Sequence, residues 1–167
     1  MKIVTIFDDH LFAIHYQNKV ENEFDRLLEL WTDVSFLIAY AKKNDQKNIL
    51  GFVYKILMDV EQIQDFLENL NQNNHPFGFY FEPLQNSEQV KLLAFQKGKI
   101  RQNQLRFYAI KIDENCFLIT GGAIKMSQKM IEHPDTLNEL KKLIKVRTYL
   151  QANGVFDNAS FYELIIE

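Results

Sequence analysis

The spacing of apolar positions changes period twice along this chain. Lys2–Phe7 and Leu11–Gln17 alternate with a period of two, with Ile3, Thr5 and Phe7 on one face and Val4 and Ile6 on the other. Asp8-Asp9-His10 between them supplies turn chemistry, so a hairpin is predicted over residues 1–17. From Asn18 to Asn71 the spacing becomes three and four. Phe24, Leu27, Leu28 and Trp31 mark one helix, and Phe36, Leu37 and Tyr40 mark a second that Asp33 can cap. The third stripe is the longest, running from Ile49 through Phe52, Val53, Ile56, Leu57, Val60, Ile63 and Leu67 to Leu70. Asp59, Glu61, Asp65 and Glu68 lie off that stripe, either as a solvated face or as a surface for a basic partner.

Asn71–Pro76 is a breaker cluster, and beyond it the period returns to two. Phe77–Phe81 reads as a strand stopped by Glu82-Pro83; Val90, Leu92 and Leu93 within Asn86–Phe95 suit either a short helix or a strand, with strand favoured over 90–95. Residues 105–112 and 116–120 form a hairpin closed by Asp113-Glu114-Asn115. Gly121-Gly122 allows either a sharp bend, which would return the chain over the sheet, or a close backbone approach. Thr136-x-x-Glu139 has the form of a capping box, opening a helix with Leu137, Leu140, Leu143, Ile144 and Leu150 as its stripe and Asn153-Gly154 as its end. Phe161–Ile166 is apolar, an added edge strand or a packing arm. The expected fold class is therefore α+β. An antiparallel sheet of about five strands is covered on one face by the 48–70 and 136–152 helices.

Composition fits this outline. At 167 residues with 47% apolar content, one domain can bury its core without staples. Cys116 is the single cysteine and cannot form an internal disulfide; within a strand it reads as a small buried hydrophobe, consistent with a reducing compartment. The first apolar run is too short for a signal peptide, and no run approaches the roughly 20 residues that span a membrane, so a cytoplasmic protein with no membrane partner is expected.

Charge adds what periodicity cannot. The net charge of −3 hides a division: residues 1–90 hold 7 Lys/Arg against 14 Asp/Glu, while residues 91–152 hold 12 against 5. A locally basic segment is what phosphate binding requires. The alternative is that the two halves neutralise each other across an internal interface. Several enzyme classes leave no trace: Gly98-Lys99 lacks the remaining P-loop residues, Ser127 has no nucleophile-elbow glycines, and the histidines at 10, 15, 75 and 133 lack metal-ligand spacing.

Within the basic segment, Arg106 and Tyr108 are two apart on a strand and share a face, and Lys125 and Lys129 follow four apart. This order of basic residue, Leu105-Arg106-Phe107-Tyr108 strand, Asp113-containing turn, apolar strand, glycine, Lys125-x-x-x-Lys129 and basic amphipathic helix resembles the RelE/HigB superfamily of bacterial toxin ribonucleases over about residues 80–152. The resemblance implies a RelE-like core (77–152) carrying an enlarged helical N-terminal part (1–17 hairpin, 18–71 helices) and a 153–167 arm within one domain. It also implies cleavage of RNA or ribosome-bound mRNA by attack of the ribose 2′-OH, with no metal or cofactor, and a cognate antitoxin as partner.

In that chemistry negative charge builds on phosphate oxygens, and fixed cations stabilise it. The catalytic candidates are Arg106, Tyr108, Lys125, Lys129 and His133; the RNA-binding candidates are Lys97, Lys99, Arg101, Lys141, Lys145 and Arg147. Tyr108 is the first candidate base because neighbouring cations favour its deprotonated form, and His133 is the second. A half-buried strand aromatic, a cap or linker histidine and a solvated helix face are the competing structural roles for Tyr108, His133 and the helix lysines. A binding protein on the same fold, docking to a protein target in the manner of ParE-type toxins, is the competing function.

Overall fold

The computed structural model describes residues 1–126 and 134–167. Among them the strands are β1 (Lys2–Phe7), β2 (Leu11–His15), β3 (Phe81–Pro83), β4 (Phe95–Gly98), β5 (Leu105–Asp113) and β6 (Cys116–Ile124). The helices are α1 (Glu23–Leu30), α2 (Val34–Lys43), α3 (Ile49–Gln72), α4 (Pro134–Ala152) and α5 (Asn158–Ile166). The chain is thus α+β; among the described residues the sheet has six strands, where about five were expected, and it is mixed rather than antiparallel. Its order is β1-β2-β6-β5-β4-β3, and β2 runs parallel to β6, Leu11–Ala13 lying alongside Phe117–Ile119. The β1–β2 hairpin has already used one edge of β2; its other edge is free for β6.

The helices do not share one face. Leu11, Ala13, Leu105, Phe107, Ala109, Phe117 and Ile119 point into a core with α1, α2 and α3, where Phe24 and Trp31 pack against Phe107 with ring centroids 5.2 and 5.1 Å away. Phe12, Ile14, Tyr108, Ile110, Ile112 and Leu118 point the other way, into a core with Leu143, Val146 and Leu150 of α4 and Phe161 of α5. Central strands covered on both faces lose the apolar/polar alternation. That is why every position of β6 is buried.

Local chemistry fixes the element ends. Asn22, Asp33 and Asn48 accept the N–H groups of Asp25, Phe36 and Gly51 at the starts of α1, α2 and α3. Asp157 and Ser160 form a reciprocal capping box, so the C-terminal stretch is a helix rather than an edge strand. Three further expectations are corrected. Phe77–Phe79 is a 3-10 turn before the short β3, strand pairing at residues 90–95 begins only at Phe95, and Thr136 and Glu139 lie buried inside α4, which is already helical at Pro134. Asp59 is also no part of a solvated face: it is buried, takes the Lys55 ammonium on one carboxylate oxygen and accepts the Gln104 N–H on the other at 2.9 Å. It ties the 99–104 connection to α3.

The buried Tyr80 ring lies against Gly98 of β4 and occupies the space that a Cβ there would need. Gly98→Ala should therefore lower the unfolding free energy by about 1–3 kcal/mol through overpacking, measured by urea denaturation. An unchanged midpoint would show that the ring moves aside freely.

Candidate functional site

β2 leaves β6 after Ile119, so among the described residues no strand pairs with the second half of β6 on that side. Buried backbone groups must still be paired. The Tyr16 hydroxyl donates to the Thr120 carbonyl at 2.6 Å, and the Gly122 N–H donates to the Glu139 carboxylate at 2.8 Å. Of the two readings of Gly121-Gly122 the close approach holds: β6 continues through the pair, with Thr120 as an extra, bulged residue between Ile119 and Gly121. A Cβ on Gly121 would collide with the Glu139 carboxylate, and one on Gly122 would lie 2.9 Å from Leu27 and 3.0 Å from Trp31. The two glycines admit α4 on one face and α1 on the other.

Around this edge lies an ionic network. Glu139 meets the Lys142 ammonium at 3.0 Å, Lys142 reaches the fully buried Glu23 at 2.9 Å, and Arg26 holds both oxygens of Glu23. Lys142 also lies 5.5 Å from the centre of the Tyr16 ring. Burial alone would raise the Glu23 pKa, but Arg26 and Lys142 outweigh it and hold this carboxyl below its ordinary value. Glu139 is shifted up, by burial first and by Glu23 as well, against the pull of Lys142 and the Gly122 N–H. The hydrogen bond to Glu23 raises Arg26, while burial and the two carboxylates push the Tyr16 hydroxyl well up.

Beside the network a cleft of about 370 Å³ opens between α1, α2, the end of β6 and the start of α4. Leu27, Leu30, Trp31, Phe36 and Ile124 give it an apolar lining, and Arg26, Lys43, Asp135, Asn138 and Glu139 supply its polar groups. The Tyr40 hydroxyl is buried on its wall, beside the Asp135 carboxyl. Burial and the nearby Asp135 raise its pKa.

Among the described residues, the sequence-predicted ones are not part of the lining of this cleft. Arg106 and Tyr108 do share a face of β5, yet Arg106 is half-buried and its guanidinium donates to the carbonyls of Asn103 and Leu105. Burial pulls its pKa down. Tyr108 is only 2% exposed, because the second helical layer covers this face, and burial pushes its hydroxyl up to about 12 despite Arg106. That shift is opposite to what a base at neutral pH needs. Lys125 is half-buried just beyond β6, its N–H bonded to the Gln104 carbonyl. Lys129 and His133 lie outside the described residues.

The RNA-binding set divides. Lys99 and Arg101 are exposed on the connection that Asp59 ties to α3; Lys141 and Lys145 are exposed on α4, in the other layer. Lys97 faces Glu82 across strands at 3.8 Å, and Arg147 pairs with Glu88 at 3.0 Å while lying 3.7 Å over the Phe95 ring. With Lys142–Glu23, these pairs join the basic part of the sequence to the acidic part. Glu23, Arg26 and Tyr16 were not singled out from the sequence and Tyr40 was read only as part of a helix stripe, so the signal for their site was the glycine pair. Among the described residues no cluster could hold a metal ion and no helix is long and apolar enough to cross a membrane. No known protein family, characterised protein or solved structure matches this chain.

Because the Glu23 carboxyl titrates lower in the folded chain, its contribution is fully present above its ordinary value of 4.5 and is lost as pH falls through the lowered one. Glu23→Gln should cost roughly 3 kcal/mol at neutral pH and flatten the acid limb of a stability-versus-pH curve. An acid limb as steep as that of the parent would place the pH dependence elsewhere.

Proposed function

We propose that this chain is a non-catalytic binding protein that seats a bulky apolar side chain of a protein partner in the cleft between α1, α2, β6 and α4. The observation that carries this reading is how the charged groups of the cleft floor are used. Arg26 is taken by Glu23, and Glu139 by Lys142 and the Gly122 N–H, so these side chains serve the fold rather than a reaction. What the cleft offers a visitor is an aromatic and aliphatic lining with a mixed-charge rim. Desolvated apolar pockets of this kind anchor the few side chains that carry most of a protein interface's affinity.

Endoribonuclease action on RNA or ribosome-bound mRNA is the second reading. Its support is the side-by-side placement of Arg106 and Tyr108 and the exposed cations Lys99, Arg101, Lys141 and Lys145. Under it, an antitoxin-like protein is the expected partner.

Two measurements separate the readings. Under the first, purified protein leaves both naked and ribosome-bound mRNA intact, and a partner is sought by co-expression with the product of the adjacent reading frame. Ala39→Arg, at an exposed position on the cleft wall, should then weaken the complex by about 30-fold or more without moving the thermal midpoint. RNA cleavage that Arg106→Ala abolishes would favour the ribonuclease instead.

A further inference from the structure

α3 carries more apolar surface than its own packing uses. Leu50, Tyr54 and Met58, each one turn after the last, are 75%, 66% and 45% exposed. Single exposed apolar residues are ordinary, but a row of three large ones along one helix is a contact surface. The charge on either side of this row has opposite sign. Towards the C-terminus the same face continues as Glu61, Asp65 and Glu68, all exposed, at spacings of three and four. At the other end stand Lys42, in the last turn of α2, and Lys47, in the connection to α3, both also exposed.

We infer that a second copy of this chain docks on this surface, α3 against α3, antiparallel about a two-fold axis beside Tyr54. In such a pair, positions equidistant from Tyr54 face each other. Leu50 meets the partner's Met58, the two Tyr54 rings meet at the axis, and Lys47 meets the partner's Glu61. Asp65 and Glu68 extend past the end of the opposing helix, towards the partner's Lys42. Every contact occurs twice, as a two-fold interface requires.

The choice of a second copy over an unrelated partner rests on the charge pattern. A cationic amphipathic helix would suit Glu61, Asp65 and Glu68 but would set its cations against Lys42 and Lys47. An anionic one would have the reverse fault. Only a partner that is acidic at one end and basic at the other, with an apolar middle, suits the whole row, and this chain is such a partner for itself. The α3 row is separate from the apolar lining of the cleft, so this inference does not depend on the function proposed above.

The test is sedimentation equilibrium on the full chain across a concentration series, with far-UV circular dichroism to confirm that each variant is folded. The wild-type chain should dimerise reversibly, and Tyr54→Glu, at an exposed position, should be monomeric. Glu61→Lys and Lys47→Glu should each weaken the dimer by about tenfold or more, because each sets like charges together at two places. The double variant restores both pairs in swapped form and should dimerise within about threefold of wild type. A chain that stays monomeric throughout overturns the inference. So does a dimer that neither reversal weakens, or one that the double variant fails to restore.

Discussion

The structure depends on how the second half of β6 is closed off. A strand buried on both faces cannot leave one edge unpaired, because no water reaches its amides and carbonyls. β2 pairs with only part of β6, and side chains take over where it stops. The side chain that takes the Gly122 amide is a carboxylate, which brings its own burial penalty and so calls for a cation. Lys142 answers Glu139, Glu23 shares Lys142, and Arg26 completes a set of two acids and two bases. One unpaired backbone stretch thus explains four charged residues. Because α1 and α4 belong to opposite layers, the same network also stitches those layers together around the edge of the sheet, and the cleft lies directly beside it.

What was legible in the sequence was local. The β1–β2 and β5–β6 hairpins, the Asp33 cap and the long stripe of α3 all follow from neighbours a few residues apart, and all are present. Which faces meet was not legible. Period-two spacing puts Arg106 and Tyr108 on one side of β5, but whether that side is open depends on α4 and α5, which come after it in the chain. Gly121-Gly122 shows the same ambiguity: two residues without Cβ permit either a bend or a close approach, and only the arrival of Trp31 and Glu139 decides. The cleft was illegible for the same reason, since its walls come from four elements.

The division of charge along the sequence has a partly internal explanation. Lys97, Lys142 and Arg147 are answered by Glu82, Glu23 and Glu88, so these cations face acids of the N-terminal half. Arg147 also shows why the pairing is more than Coulombic, since its planar group lies on Phe95 while reaching Glu88. Lys99, Arg101, Lys141 and Lys145 remain on the surface in two separate layers, which disperses the basic character that looks continuous when the residues are simply counted.

The parallel pairing of β2 with β6 has a consequence for how the chain reaches this state. Leu11 lies beside Phe117, which is synthesised more than a hundred residues later. Contacts so distant in sequence close slowly, because the entropy of a long loop must be lost before any pairing is gained. Until then the newly made β1–β2 hairpin has one open edge on β2, a strand whose Leu11, Phe12, Ala13 and Ile14 are all fully or almost fully buried at the end. An unpaired apolar edge of that kind is a template for pairing with other chains until the later strand arrives. β1 and β2 are made long before the strand that completes them.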